Sequence, residues 1–331
     1  MPTSGRSNAA PNLTGFGASF SGWSVELPDH DAVWTVAPPR RGELLDMYPL
    51  LNGGEGEPGY TLAGPAFEAG TLRVTEVSES GSVPTLRVVN EGPRPVLLVD
   101  GEELAGAKQN RVLNMTVMVP ARRSIDVPVS CVEAGRWRYS ARKFKDAEWL
   151  MDSEGRARKM RNVSDSLRRG SYAGSQRDVW SHISEKAARM GARSETSAQE
   201  AMFTSHRRVL DQEIEALMPA EGQVGAVFAS RGRVIGLELF DATKTLQALL
   251  PKIVRSYAID ACDSRGRVPR RAAMDVEQFT SAVTQVESSE YPTIGLGKTV
   301  RMEGRGLAGA GLLVDDRYVH LSILALSPMA R

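Results

Sequence analysis

Cysteine is scarce in this chain. Cys131 and Cys262 are the two present in 331 residues, too few for the disulfide framework that holds small secreted domains together. Histidine is nearly as thin, and His30, His182, His206 and His320 have no spacing that would bring two imidazoles to one metal. Neither a metal nor another cofactor is expected. Charge of one sign is missing too: with 41 Lys and Arg against 40 Asp and Glu, the chain has no global field of the kind used to coat nucleic acid or anionic lipid. Nucleic acid is therefore not expected as a partner. No apolar run approaches the ~20 residues that cross a bilayer, and the opening MPTSGRSNAAPNLTGFGASF lacks the apolar centre of a signal peptide. These absences predict a cytoplasmic protein with no membrane segment.

What remains is long enough for one large domain or two ordinary ones. Residues 1–22 have few large apolar groups and predict a flexible arm, because they bury too little to offset the entropy of ordering. Residues 23–145 read as β-rich. Leu72, Val74 and Val77 precede a Glu79-Ser80-Gly81-Ser82 turn and Leu86, Val88 and Val89 follow it, which predicts a hairpin. Asp100-Gly101 is a further turn signal. Leu113, Met115, Val117 and Val119 alternate with Asn114 and Thr116, predicting one half-buried strand over 112–119, and Ile125, Val127, Val129 and Cys131 repeat the period. Short strands with turns between them predict an antiparallel β-sandwich or barrel-like N-terminal half.

The composition then shifts. Over 136–169 there are eleven Lys or Arg against five Asp or Glu, a local excess of six, which reads either as a solvated, mobile connector or as a basic docking patch. Val179, Ile183, Ala187 and Met190 fall at helical spacing before Gly191, and Ser197 with Glu200 predicts a capping box for a second helix ending near Leu217. Residues 146–221 are therefore expected to form a basic connector and a helical hairpin. Strands, a helix over 242–260 carrying Pro251, a helix capped by Asp275 and closing strands fill a smaller C-terminal α/β lobe over 222–331, either separate or continuous with 23–145. The expected class is α+β.

Reactive chemistry concentrates in residues 96–139. Glu102 and Glu103 are neighbours, so an extended backbone turns them to opposite faces and one of the two faces any pocket. Glu103 with Glu133 is the candidate acid–base pair. Lys108, Gln109, Asn110 and Arg111 supply two cations and two amides, a set suited to phosphate, carboxylate and ribose oxygens; a basic strand edge that blocks aggregation reads the same way. Arg136 and Trp137 offer a guanidinium beside a flat π surface, suited to the phosphate and base of a nucleotide, or else a core Trp beside a solvated arginine. Cys131 shares the parity of Ile125, Val127 and Val129, which favours a small buried hydrophobe over a nucleophile.

These residues carry a family resemblance. Gly101-Glu102-Glu103-Leu104, Gly106-Ala107-Lys108-Gln109-Asn110-Arg111, and Pro128-Val129-Ser130-Cys131-Val132-Glu133 with Gly135-Arg136-Trp137 together resemble the ARPP family, named for its genomic association with ADP-ribosylglycohydrolases and rhodanese-phosphatases. Weaker similarity extends over most of 45–325. The resemblance implies no assigned activity, and its name implies a neighbourhood of ADP-ribose, NAD or phosphoester metabolism. Two readings follow. In the first, a cytosolic protein binds, and in one form processes, a small nucleotide-like ligand such as ADP-ribose or a related phosphoester, through Lys108, Gln109, Asn110, Arg111, Arg136 and Trp137, with Glu103 and Glu133 as acid and base. In the second, a non-catalytic scaffold or partner-binding module docks a protein or nucleic acid through its basic segment.

Overall fold

A computed structural model describes residues 23–28, 30–52, 56–78, 84–141, 143–263 and 274–326. The expected arm over 1–22 and the expected turn at 79–82 lie outside the described residues. Within them the chain is α+β, with antiparallel sheets and helices as the strand and helix patterns require.

Ten strands form the largest sheet, in the spatial order Ser24–Leu27, His30–Val36, Asp46–Leu51, Gln223–Ser230, Arg233–Phe240, Arg317–Ala325, Leu307–Val314, Lys298–Gly304 and Glu287–Pro292, with the two-residue Arg40–Arg41 added beside Asp46–Leu51. Strand Asp46–Leu51 pairs with Gln223–Ser230, so the C-terminal lobe and the N-terminal strands share one sheet. A six-stranded sheet runs Phe144–Leu150, Glu102–Gly106, Arg111–Leu113, Arg123–Cys131, Thr85–Asn90, Leu72–Glu76. A third sheet joins Val117–Val119, Val96–Leu98 and Thr61–Leu62, the last two parallel.

Both faces of the large sheet are covered. Helix Thr243–Asp263 buries Leu246, Leu250, Ile253, Val254 and Tyr257 on one side, where Tyr257 stacks on Phe228 at 4.4 Å. Helix Val276–Val283, capped by Asp275 with Gln278 in a reciprocal pair of hydrogen bonds, covers the other face through Val276, Phe279 and Val283 against Val300, Met302 and Ile323. A third core lies among the smaller sheets, built from Val74, Leu86, Val88, Leu98, Leu113, Val117, Val127 and Val129.

Three local expectations fail, each for a polar reason. Residues 112–119 are not one half-buried strand: Arg111–Leu113 belongs to the six-stranded sheet and Val117–Val119 to the three-stranded one. Asn114 and Thr116 are buried like their apolar neighbours, because Ser130 Oγ donates to Asn114 Oδ1 at 2.8 Å and Thr116 Oγ1 meets His320 Nδ1 at 2.7 Å. The segment after Tyr139 is not a solvated connector either: Phe144–Leu150 is a strand of the six-stranded sheet, and helix Ser153–Leu167 carries Arg156 and Lys159 fully buried. The capping box at Ser197 and Glu200 does not form. Helices Glu200–Ser205 and Arg207–Ala216 follow Gln199, which makes no side-chain cap and instead reaches Glu103.

Candidate functional site

The site is built on strand Glu102–Gly106, the loop that follows it, strand Arg111–Leu113 and the end of strand Arg123–Cys131, paired in that order. Alternation along the first strand separates the two carboxylates. Glu102 accepts from Lys252 Nζ at 3.0 Å, beside Asp146 at 2.6 Å from the same ammonium, under the face of helix Thr243–Asp263. Glu103 turns the other way, accepting from Asn110 Nδ2 at 2.9 Å and from Gln199 Nε2 at 2.7 Å. Complete burial outweighs these two donors and raises its carboxyl to about 7, since desolvation disfavours the charged form.

Glu133 is the second node. Burial raises its pKa, but hydrogen bonds from Arg136 and Thr196 and from the Asn110 backbone outweigh that and hold it below the usual carboxylate range. The contacts are Arg136 Nε at 2.8 Å, Thr196 Oγ1 at 2.7 Å and Asn110 N at 3.2 Å. Gln109 Nε2 donates to the Glu133 carbonyl at 2.8 Å, while Gln109 Oε1 accepts from Arg111 Nη1 at 3.0 Å. Arg136 uses its whole guanidinium here: Nη1 donates to the Ala107 carbonyl at 2.8 Å, the Arg138 carbonyl at 3.1 Å and Ser140 Oγ at 2.9 Å, and Nη2 to Asn110 Oδ1 at 3.0 Å. It is a clasp holding two loops together, with no donor left for a phosphate.

Cys131 is fully buried, as its parity indicates, and burial raises its thiol to about 11 against the pull of Arg111. A thiolate nucleophile is not supported. Gln176, the first residue of helix Gln176–Met190, brackets the Cys131 backbone: its Oε1 accepts the N–H at 2.7 Å and its Nε2 donates to the carbonyl at 2.8 Å.

Above the network lies an exposed rim. Trp137 and Tyr139 are 49% and 51% exposed, and Lys108 Nζ sits 5.3 Å from the centroid of each ring. Arg111, wholly buried, has its guanidinium carbon 5.7 Å from the Trp137 ring. Among the described residues its Nε and Nη2 lack hydrogen-bond partners; Glu76 Oε1, 3.8 Å from Nη2, is an ion-pair neighbour beyond hydrogen-bond reach. The eight predicted residues thus come together, but unequally. Glu103, Gln109, Asn110, Glu133 and Arg136 form a closed support; Lys108, Arg111 and Trp137 present or underlie the rim. Sequence reasoning missed Gln199, Thr196, Gln176, Glu76 and Tyr139. Tyr139 alone had a signal, its shared parity with Trp137. No group of three or more His, Cys, Asp or Glu among the described residues has the geometry to hold a metal ion.

Comparison with known proteins adds one finding. Residues 34–324 match the family model described as ARG and Rhodanese-Phosphatase-superfamily-associated Protein domain. No curated protein and no solved structure matches the chain.

Proposed function

The chain belongs to the ARPP-1 family, and from there we propose that it binds a small nucleotide-like ligand, of the ADP-ribose or phosphoester class that the family name points toward, at the rim of Trp137, Tyr139 and Lys108. The observation that carries this reading is the ammonium of Lys108 held 5.3 Å from two half-exposed aromatic rings. Flat π surfaces stack bases in a sequence-tolerant way, and a cation between them attracts the attached phosphate. Arg111, with two nitrogens lacking hydrogen-bond partners beneath the Trp137 ring, supplies a second positive charge. Gln109, Asn110, Arg136 and Glu133 support the rim and touch the ligand little, since their polar groups already bond one another. Glu103 keeps a pKa suited to proton transfer, but its burial favours binding over turnover.

The test is calorimetric titration of the full chain with ADP-ribose, NAD and mononucleotides. Binding by one member of the panel, weakened tenfold or more in Lys108→Ala and Trp137→Ala with melting temperature unchanged, supports the reading. Silence across the panel removes it. A second reading, a scaffold that docks a protein partner, draws on the same exposure of Trp137 and Tyr139, because aromatic anchors dominate protein interfaces. It predicts that the variants lose partner binding while nucleotides have no effect.

A further inference from the structure

A second polar constellation lies away from the rim, between helix Ser153–Leu167 and the ten-stranded sheet. Glu238, Ser322, Ala310 and Arg301 are successive cross-strand partners. Residues directly opposite in antiparallel pairs share a face, so these four form one row across the sheet. Val300 and Met302, flanking Arg301, pack on the opposite face against helix Val276–Val283. The row therefore faces helix Ser153–Leu167, which packs on strands Leu307–Val314 and Arg317–Ala325.

At its inner end the row is satisfied. Arg156 Nη1 donates to Glu238 Oε1 at 2.7 Å and Nη2 to Ser322 Oγ at 3.1 Å. Tyr257 OH donates to Glu238 Oε1 at 2.9 Å, and His320 Nε2 lies 3.1 Å from Oε2. Thr116 Oγ1 accepts the Asp100 N–H at 3.0 Å and lies 2.7 Å from His320 Nδ1. Burial raises Glu238, but Arg156 and His320 outweigh it and hold the carboxyl at about 2.

The outer end is different. Arg301 is 3% exposed, and among the described residues none of its Nε, Nη1 or Nη2 has a hydrogen-bond partner. Lys159 Nζ bonds Asp100 Oδ1 and the Leu113 carbonyl, while Asp100 Oδ2 and Asn114 Nδ2 are also without partners. Burial lowers Arg301 to about 10, with Asp100 the main charge opposing it. Three buried cations, Arg156, Lys159 and Arg301, accompany two buried carboxylates, Asp100 and Glu238. An unpaired guanidinium in the interior carries a large desolvation cost, which an oxyanion with several acceptor oxygens would remove. Arg301 stands one strand in from the sheet edge at the largely exposed Glu287–Pro292.

We propose that Arg301 and Lys159 bind a protonated phosphate, inorganic or as a monoester, with Asp100 Oδ2 accepting its O–H. The donor set takes the phosphate oxygens, and the lone carboxylate oxygen selects an anion that still carries a proton. Sulfate, fully deprotonated at neutral pH, is repelled there. This site is independent of the rim and stands whether or not nucleotides bind at Trp137.

The test uses the full chain in Tris chloride. Phosphate released on denaturation of the desalted chain is measured first, followed by calorimetric titration with inorganic phosphate, phenyl phosphate and sulfate. One phosphate per chain, retained or taken up, at least tenfold tighter than sulfate, is expected. Phenyl phosphate binding equally would mark a monoester site, and its exclusion a site for the free ion. Arg301→Met should abolish uptake and, in phosphate-free buffer, melt no lower than the parent chain, since it removes an uncompensated charge. Asp100→Asn should bring sulfate to within about threefold of phosphate, and provides the readout if Arg301→Met does not fold. Neither release nor uptake by the parent chain, or sulfate bound as tightly as phosphate, would overturn the proposal.

Discussion

At the scale of single residues, the motif divides into groups that hold the protein together and groups that face outward. Arg136 belongs to the first kind. Its guanidinium bonds Glu133, Asn110, Ser140 and two backbone carbonyls, so Arg136→Met should cost roughly 2–4 kcal/mol by urea unfolding, the range for stranding a part-buried carboxylate and its partners. Arg138→Ala, at an exposed position, should change stability by less than about 0.5 kcal/mol. Glu103 adds a pH signature. Its folded value of about 7 lies above the ordinary 4.5, so the folded state binds the proton more tightly than the unfolded chain. The contribution is intact below about pH 4.5 and lost as pH rises through 7, reaching about 3 kcal/mol. Glu103→Gln cannot lose it, so the stability of the variant relative to the parent should improve between pH 5 and pH 8. A constant difference across that range would contradict the buried, protonated carboxyl. The legible part here was parity, which placed Cys131 inside and separated Glu102 from Glu103. What parity could not reveal was that Arg136 is used up internally, because a hydrogen-bond partner is a fact of tertiary contact.

Among the elements, strand Arg123–Cys131 changes partner along its length. Residues 123–128 pair with Thr85–Asn90, and residues 129–131 pair with Arg111–Leu113 on the other side. Where the first partner ends, Gln176 substitutes for it by bonding both the N–H and the carbonyl of Cys131. Gln176→Ala should destabilise the chain by about 1–3 kcal/mol, because it leaves the N–H and carbonyl of Cys131 unpaired. Hydrogen exchange at the Cys131 amide should accelerate with it, and an unchanged exchange rate would show that the side chain is not the partner. Helical periodicity found helix Gln176–Met190 and its Gly191 stop, whose φ of +67° fits a left-handed cap. It misplaced the next start, because Gln199 bonds Glu103 instead of capping its own helix. The alternation of 112–119 was misread for a similar reason: two short strands of different sheets, joined through Asn114 and Thr116 that are buried against distant Ser130 and His320, have the same text as one half-buried strand.

For the whole molecule, the α+β class and most strands followed from short apolar runs and turn residues, while the joining of Asp46–Leu51 to Gln223–Ser230 did not. Long-range pairing leaves no local trace in composition. The same limit hid the burial of Arg156 and Lys159, which read as a solvated basic run until Glu238 and Asp100 were placed against them. Three cores tie the sheets and helices into a frame, and the clasp at Arg136 fixes the loop that carries Trp137 and Tyr139 to it. A rim held in this way is preorganised, so a ligand should bind without a large change in secondary structure. The most direct measurement is calorimetric titration of ADP-ribose into the full chain and into Trp137→Ala, with circular dichroism confirming equal folding. One site per chain, weakened about ten- to a hundredfold by loss of the stacking ring, is the predicted result. Equal affinity in the two proteins, or no heat from either, would contradict it.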